Sequence, residues 1–170
     1  MKTLSDVFAV VLTGIHNTES CLSNALSVFA SVATDPGLKA TLVSHREVAE
    51  IHVRLLEAVF ADFGWPPPEK SADSGKPTLR KELHPSAGSS AQQTLDAGLI
   101  YAVQRIGHYK MASYECLHEW ALRLDHPRAA GGLKTMLAQE MAEDKALTAL
   151  AYRFRRTQVA EEFGEAAMAA

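Results

Sequence analysis

Apolar residues recur at helical spacing in four long stretches of the chain, and turn residues separate these stretches. The pattern predicts helices over about residues 5–33, 38–63, 91–124 and 128–157. In the first helix the apolar stripe consists of Phe8, Leu12, Ile15, Leu22, Leu26 and Phe29. Because each helix has one apolar face to bury, the four are expected to pack around a common core.

The connections between the predicted helices differ in length. Short turns at residues 35–37 (Asp-Pro-Gly) and 125–127 (Asp-His-Pro) make their flanking helices antiparallel neighbours. Residues 64–90 instead carry five of the seven prolines, which excludes regular helix from much of this segment. A crossover that runs the length of the bundle explains why this segment is so long, and it makes the second and third helices parallel. A short helix is predicted within the segment, around residues 78–83. We therefore predict one all-α domain over residues 1–170, an antiparallel four-helix bundle with one long crossover.

Composition and charge narrow the classes of partner. The formal net charge is -3, which gives no electrostatic reason to bind nucleic acid or an anionic membrane. No run of about 18 apolar residues occurs, and no secretion-type apolar segment follows the charged first turn. These features predict a cytoplasmic protein, in which Cys21 and Cys116 are buried or half-buried thiols and a disulfide is the less favoured alternative.

Polar residues interrupt the apolar stripe of every predicted helix. They are Glu19 in the first helix, His45 and His52 in the second, Lys110 in the third, and Glu140 and Asp144 in the fourth. A polar group inside a core costs free energy unless it has a partner. The bundle is therefore expected to bring acids, imidazoles and an ammonium together, and these groups either bind a metal ion or neutralise one another.

The metal interpretation uses acids and imidazoles as ligands. Glu140 and Asp144 are spaced i, i+4, so both can point at one ion from one face of their helix. With Glu19 and His52 they would bind one iron, manganese or zinc ion, with His45 at one end.

The alternative interpretation needs no metal. Each histidine is satisfied by a nearby carboxylate, and the Lys110 ammonium pairs with Glu19 and with Glu140 or Asp144 in place of a metal cation. Lys110 could instead extend past the edge of the stripe, because its aliphatic stem is long. Both possibilities stay open at the level of the sequence.

Five segments carry a resemblance to a known family: LSDVF, NTESCLSNAL, DPGLKATLVSHREVAEIHVRLLEAVFADFG, LIYAVQRIGHYKMASYECL and EMAEDKALTALA. In their order and spacing, over about residues 4–151, the chain resembles the bacterial YciE/YciF family of stress-associated, ferritin-like proteins. The resemblance implies a crossover bundle whose core has the layout of a carboxylate-bridged iron or manganese site.

This sequence has only part of the metal-ligand set that the resemblance implies. Glu19, His45, His52 and Asp144 match the family pattern. Positions where family members commonly have acids are occupied by Val48, Gly107, Lys110 and Thr148. A bridged di-metal centre needs about four carboxylates. The departures imply a degraded site without a cofactor and favour a non-catalytic protein, but they leave enzymatic activity open. The alternative is a metal-binding or oxidase-type protein that uses iron, manganese or zinc.

The other motifs in the sequence do not predict a further catalytic or binding site. Glu115 and His118 have the Glu-x-x-His spacing of di-metal helices, but they point away from the apolar stripe and are interpreted as a solvated pair. The sequence contains no nucleophile elbow and no phosphate-binding loop. A homodimer is expected, with Ile51, Ile100 and Met111 as candidate surface apolar residues.

Overall fold

The structure, a computed structural model, describes residues 3–69 and 89–168, and it describes side chains at residues 3–69 and 94–154. Its helices are α1 (Leu4–Val32), α2 (Pro36–Asp62), α3 (Ser89–Arg123) and α4 (Pro127–Met168). All four predicted helices are present, and α4 extends beyond its predicted end. The predicted short helix at residues 78–83 and most of the predicted crossover lie outside the described residues.

The first two helices begin at side-chain caps. At α1 the Thr3 hydroxyl accepts a hydrogen bond from the backbone N–H of Asp6, whose carboxylate accepts one from the N–H of Thr3. At α2 the Asp35 carboxylate accepts from the N–H of Leu38, and Pro36 occupies the first helical position. The Asp-Pro-Gly turn therefore ends one helix and starts the next, as its sequence predicts.

The helices form a bundle in which α1 and α4 each pack against both α2 and α3. Asp96 near the start of α3 accepts hydrogen bonds from the backbone of Thr34 and Asp35 just after α1, so α1 and α3 are antiparallel. His126 before α4 contacts Asp62 at the end of α2, so these two helices are also antiparallel. It follows that α2 and α3 lie diagonally opposite and run parallel, as predicted.

The core consists of two apolar clusters with a polar layer between them. One cluster packs around Phe8, Leu12, Ile15, Leu56, Tyr114, Leu117, Leu133 and Met136. The other packs around Leu22, Leu26, Leu38, Leu42, Leu99, Val103 and Leu147. On each helix the interrupting polar residues lie between members of the two clusters, which places them together near mid-height of the bundle.

Several positions differ from the predicted pattern. Tyr109, predicted to face the core, is 50% exposed, and Ile100, predicted as a surface residue, is 3% exposed. The α3 core face is rotated toward Ile100 and Tyr114, because α3 packs against α1 on one side and α4 on the other. Cys21 is half-buried as predicted, whereas Cys116 is exposed. No described helix is long and apolar enough to cross a membrane.

Candidate functional site

The polar layer brings together buried side chains from all four helices. Glu19 of α1, His52 of α2, and Lys110 and Tyr114 of α3 are fully excluded from solvent, and Glu140 of α4 is nearly so. Each follows or precedes an apolar core residue by about one helical turn, which is why the helices point these side chains at one another. The stripe interruptions predicted from the sequence at Glu19, His52, Lys110 and Glu140 thus form one site.

Lys110 bridges the two acids. Its Nζ atom lies 3.1 Å from Oε1 of Glu19 and 2.5 Å from Oε2 of Glu140, so the ammonium of α3 links α1 to α4. Lys110 does not extend to the surface, because its side chain is fully buried. Ion pairs buried this deeply are favourable only when both partners find each other at contact distance, as they do here.

Glu19 has three partners on one oxygen. Besides the Lys110 ammonium, Oε1 accepts a hydrogen bond from the Tyr114 hydroxyl and lies 2.8 Å from Nδ1 of His52. Nε2 of the same imidazole lies 3.0 Å from the side-chain oxygen of Gln139. The His52 ring meets the Tyr114 ring edge to face, with centroids 5.8 Å apart, so packing as well as hydrogen bonding orients the imidazole.

The environment of Tyr114 suppresses its ionisation. Burial and then the adjacent Glu19 charge raise the pKa of Tyr114 well above its usual range, because a phenolate there would be desolvated and repelled by the carboxylate. Tyr114 therefore stays a hydrogen-bond donor to Glu19 across the physiological pH range.

The Glu140 carboxyl is strongly acidic despite its burial. Burial by itself would raise the pKa, but His45 and the Lys110 ammonium outweigh it and lower the pKa of Glu140 to about 2. The His45 Nε2 atom lies 3.6 Å from Glu140 Oε1, and Nδ1 lies 4.0 Å from Glu143 Oε2, so His45 sits between the two acids. Glu143 is closer to the surface, and burial raises its pKa.

Gly107 leaves room for the Glu140 carboxylate. A Cβ atom at position 107 would lie only 3.0 Å from Glu140 Oε1, closer than ordinary van der Waals contact. The missing side chain, at a position where the family pattern has an acid, therefore shapes the space that Glu140 occupies.

Asp144 is placed apart from this group. Its Oδ1 atom accepts a hydrogen bond from Gln104 at 3.1 Å and lies 3.2 Å from Nε2 of the exposed His108. The half-buried carboxylate thus contacts the edge of α3 near the surface. The structure brings Glu19, His52 and Glu140 together, with His45 beside Glu140, and does not bring Asp144 to them.

Tyr114 and Gln139 are members of the site that the sequence pattern did not identify. Tyr114 follows Lys110 by four residues, and that spacing was the available signal because it places both on one face of α3. Gln139 had no comparable signal, since a single amide next to an acid is unremarkable on an amphipathic helix. It reaches His52 only because α2 and α4 are neighbours.

The site meets some requirements of a metal centre and fails others. Within the described part of the chain, Glu19, His52 and Glu140 each offer a ligand atom within 4.8 Å of the other two. They supply only two carboxylates, and the Lys110 ammonium already lies against both. A carboxylate-bridged di-metal centre uses about four carboxylates and no cation among its ligands, so these residues do not fit one.

Fold and site together define the class of protein: a ferritin-like four-helix bundle whose core holds a buried lysine–carboxylate–histidine network. The family model described as "Domain of unknown function (DUF892)" matches residues 3–160, and the chain belongs to this family. The match covers α1, α2 and α3, most of α4, and every residue of the polar layer.

Comparisons with individual proteins and solved structures agree with this assignment. The chain is 30% identical to Protein YciF of Escherichia coli strain K12 over 152 residues, which cover 89% of this chain and 92% of that protein. The crystal structure of the E. coli stress protein YciF superimposes with a TM-score of 0.80 at 27% identity, covering 92% of this chain and 99% of that one. YcfI from Rhodopseudomonas palustris, provisionally described as a structural protein, matches with a TM-score of 0.76 at 26% identity over 87% and 94% of the two chains.

Proposed function

We propose that this protein is a non-catalytic bundle that acts in stress physiology, and that the Lys110 ammonium takes the place of a metal cation in its core. The observation that carries the proposal is the position of Lys110 Nζ, 3.1 Å from Glu19 and 2.5 Å from Glu140. The physiological context is proposed by analogy with YciF, which is described as a stress protein.

Electrostatics supports an ammonium in place of a metal. A divalent ion placed about 4 Å from a charged Lys110 would be repelled by on the order of 8 kcal/mol at an effective dielectric constant of about 20. The two carboxylates already have their attractive partner, because Lys110 contacts both of them. To bind a metal here, the protein would have to move Lys110 aside or remove its proton.

Elemental analysis tests this proposal directly. Protein is purified without chelator, analysed by plasma mass spectrometry, and analysed again after incubation with iron(II), manganese(II) or zinc(II) and desalting. We expect far less than one ion per chain in every sample. Stoichiometric metal that is lost in the Glu19→Ala and His52→Ala variants would overturn the proposal.

A charge-reversal variant makes the test sharper. Lys110→Glu removes the ammonium and adds a third carboxylate at the centre of the ligand group, so it is expected to bind metal that the parent does not bind. Lys134→Glu adds the same charge at an exposed position of the neighbouring helix α4 and is the matched control. Equal metal content in the two variants would contradict the role assigned to Lys110.

The second candidate function is a metal-binding protein or an oxidase-type enzyme. It is favoured by the 4.8 Å clustering of Glu19, His52 and Glu140, and by Glu19 Oε2, a buried oxygen without a hydrogen-bond partner among the described residues. This candidate predicts that the parent protein takes up one iron, manganese or zinc ion per chain. It also predicts tighter uptake in Lys110→Met, which removes the competing cation and leaves all three ligands.

A further inference from the structure

Large apolar and aromatic side chains are exposed together on the outer side of α3 and α4. Tyr101 of α3 is 62% exposed, and Met141 and Tyr152 of α4 are 58% and 60% exposed. With the exposed Arg105 and Lys145 they form what we call the α3–α4 outer patch. Single exposed apolar residues are ordinary, whereas a group of them marks an interaction surface. The grouping is therefore evidence for a binding surface on this side of the bundle.

Helical spacing places these residues on one face of each helix. Met141, Lys145 and Tyr152 follow one another at intervals of four and seven residues, so they lie within about 40° around α4. Tyr101 and Arg105 are also four residues apart, and the Arg105 guanidinium lies 5.9 Å from the centre of the Tyr101 ring. Each helix therefore contributes one short stripe to the patch.

Hydrogen bonds across the seam between α3 and α4 bring the two stripes together. Gln104 donates to Thr148 Oγ1 at 2.9 Å and to Asp144 Oδ1 at 3.1 Å. Tyr101 lies one turn before Gln104 in α3. Tyr152 lies one turn after Thr148 in α4, which runs in the opposite direction. The two tyrosines therefore flank the seam at a similar height of the bundle.

The exposed charges of the patch are positive. Over residues 94–112 and 141–154, no described acidic side chain is exposed, whereas Arg105 and Lys145 are. The acids of these two segments are buried or half-buried. The whole chain has a formal net charge of -3, so the positive face does not follow from an excess of basic residues. The complement of this face is an acidic surface.

The composition and shape of the patch indicate the kind of partner. Tyrosine, arginine and methionine are enriched at protein interfaces, and tyrosine and arginine are enriched among the residues that dominate binding energy. A groove between two packed helices is suited to an amphipathic helix, whose apolar face it accepts. From Met141 to Tyr152 the patch is about 16 Å long, which matches about three turns of such a helix.

We propose that the α3–α4 outer patch binds an acidic amphipathic helix of a partner protein. The apolar face of that helix packs on Met141 and the two tyrosine rings, and its carboxylates pair with Arg105 and Lys145. A nucleic acid is also negatively charged, but its affinity depends on contacts to several phosphates, for which two exposed cations are few. The apolar side chains of the patch favour a peptide.

Fluorescence anisotropy with designed peptides tests the proposal. The probe is a fluorescein-labelled amphipathic helix with leucine on one face and glutamate on the other, and its counterpart has lysine in place of every glutamate. The full chain should bind the acidic peptide about tenfold more tightly than the basic one, and added salt should weaken this binding. Equal affinities, or no binding of the acidic peptide, would overturn the proposal. Equally tight binding of a labelled oligothymidylate would also overturn it, because the patch would then recognise negative charge alone.

Substitutions locate the binding site. Lys145→Glu and the double variant Tyr101→Ala/Tyr152→Ala should each weaken binding of the acidic peptide about tenfold. Circular dichroism should find the same helix content in every variant, because all of the substituted side chains are exposed.

Lys39→Glu and Ile51→Ala are the matched controls, at exposed positions of α2, which lies diagonally opposite α3. They should leave the affinity within about twofold of the parent. A control that loses as much affinity as its counterpart in the patch would contradict the assignment to this face. Metal content does not enter these measurements, so the proposed function is tested separately.

Discussion

The Nζ atom of Lys110 lies 2.5 Å from Oε2 of Glu140, and both side chains are shielded from water at the centre of the bundle. Burying two charges costs desolvation free energy, and their mutual attraction offsets this cost only when they are in contact. The same ammonium also contacts Glu19. Any change that removes one charge therefore leaves others buried without compensation, and this sets the expected effects of mutation at the site.

Removing the ammonium should strongly destabilise the fold. Lys110→Met keeps most of the side-chain volume but leaves Glu19 and Glu140 without their cation, so the free energy of unfolding should fall by about 3–5 kcal/mol. Urea denaturation followed by circular dichroism measures the loss. Lys134→Met, at an exposed position on α4, should change stability by no more than about 0.5 kcal/mol. Equal effects of the two substitutions would show that Lys110 has no structural role.

Acid should weaken the protein through Glu140. Its pKa in the folded protein, about 2, lies below the ordinary value of 4.5. The ionised carboxylate therefore stabilises the fold above pH 4.5, and this contribution, about 3 kcal/mol, is lost as the pH falls from about 4.5 to about 2. The free energy of unfolding, measured by urea titration at a series of pH values, should decline across that window. In Glu140→Gln the decline should be smaller and stability at pH 7 lower.

Glu143 is the matched control for Glu140, because it lies three residues away and faces the same His45. Burial raises its pKa, so the ionised form is disfavoured in the folded state and neutralisation is favourable. Glu143→Gln should therefore keep or slightly increase stability at pH 7. A loss at pH 7 as large as that of Glu140→Gln would contradict the assigned roles of the two acids.

The Tyr114 hydroxyl should contribute through its bond to Glu19. Tyr114→Phe removes a donor to a buried carboxylate and should cost about 1.5–3 kcal/mol of unfolding free energy. Tyr109→Phe, at a half-exposed site, should cost less than about 0.5 kcal/mol. Similar losses in both variants would indicate that the Tyr114–Glu19 bond does not stabilise the protein.

Spectroscopic titration at alkaline pH gives an independent measurement on Tyr114. The chain has four tyrosines, and Tyr101, Tyr109 and Tyr152 are exposed. Burial and the Glu19 charge raise the pKa of Tyr114 well above its usual value, so in the folded protein Tyr114 should stay neutral at an alkaline pH that ionises it in the unfolded chain. Tyr114→Phe should remove that difference.

Gly107→Ala should disturb the Glu140 carboxylate. Alanine normally favours a helix over glycine by up to about 1 kcal/mol. At position 107 its Cβ would lie 3.0 Å from Oε1 of Glu140. His45 contacts that oxygen and Lys110 contacts Oε2, so the carboxylate cannot easily move and the substitution should destabilise. Gly131→Ala meets no atom within 4 Å and should stabilise α4. Thermal melting of both variants tests this, and an increase in melting temperature for Gly107→Ala would be inconsistent with a fixed Glu140.

The sequence by itself determined the four helices and their connections, because periodicity and turn residues are local properties. It also identified Glu19, His52, Lys110 and Glu140, since a polar residue in an apolar stripe must be compensated wherever the stripe is buried. Asp144 shows what this reasoning cannot decide, namely which of two acids on nearly the same face of α4 enters the core. It differs from Glu140 by only about 40° around α4, so both positions were compatible with the core.

Only the tertiary structure decided which partners meet. The packing of α3 beside α4 directs Asp144 to Gln104 and His108 near the surface, and the rotation of α3 buries Tyr114 while leaving Tyr109 half-exposed. Whether Lys110 reaches both acids or extends to water was likewise set by the placement of its neighbours. Periodicity defines the side of a helix on which a residue lies, whereas contact requires the rotation and spacing of two helices, which depend on the packing of the whole core.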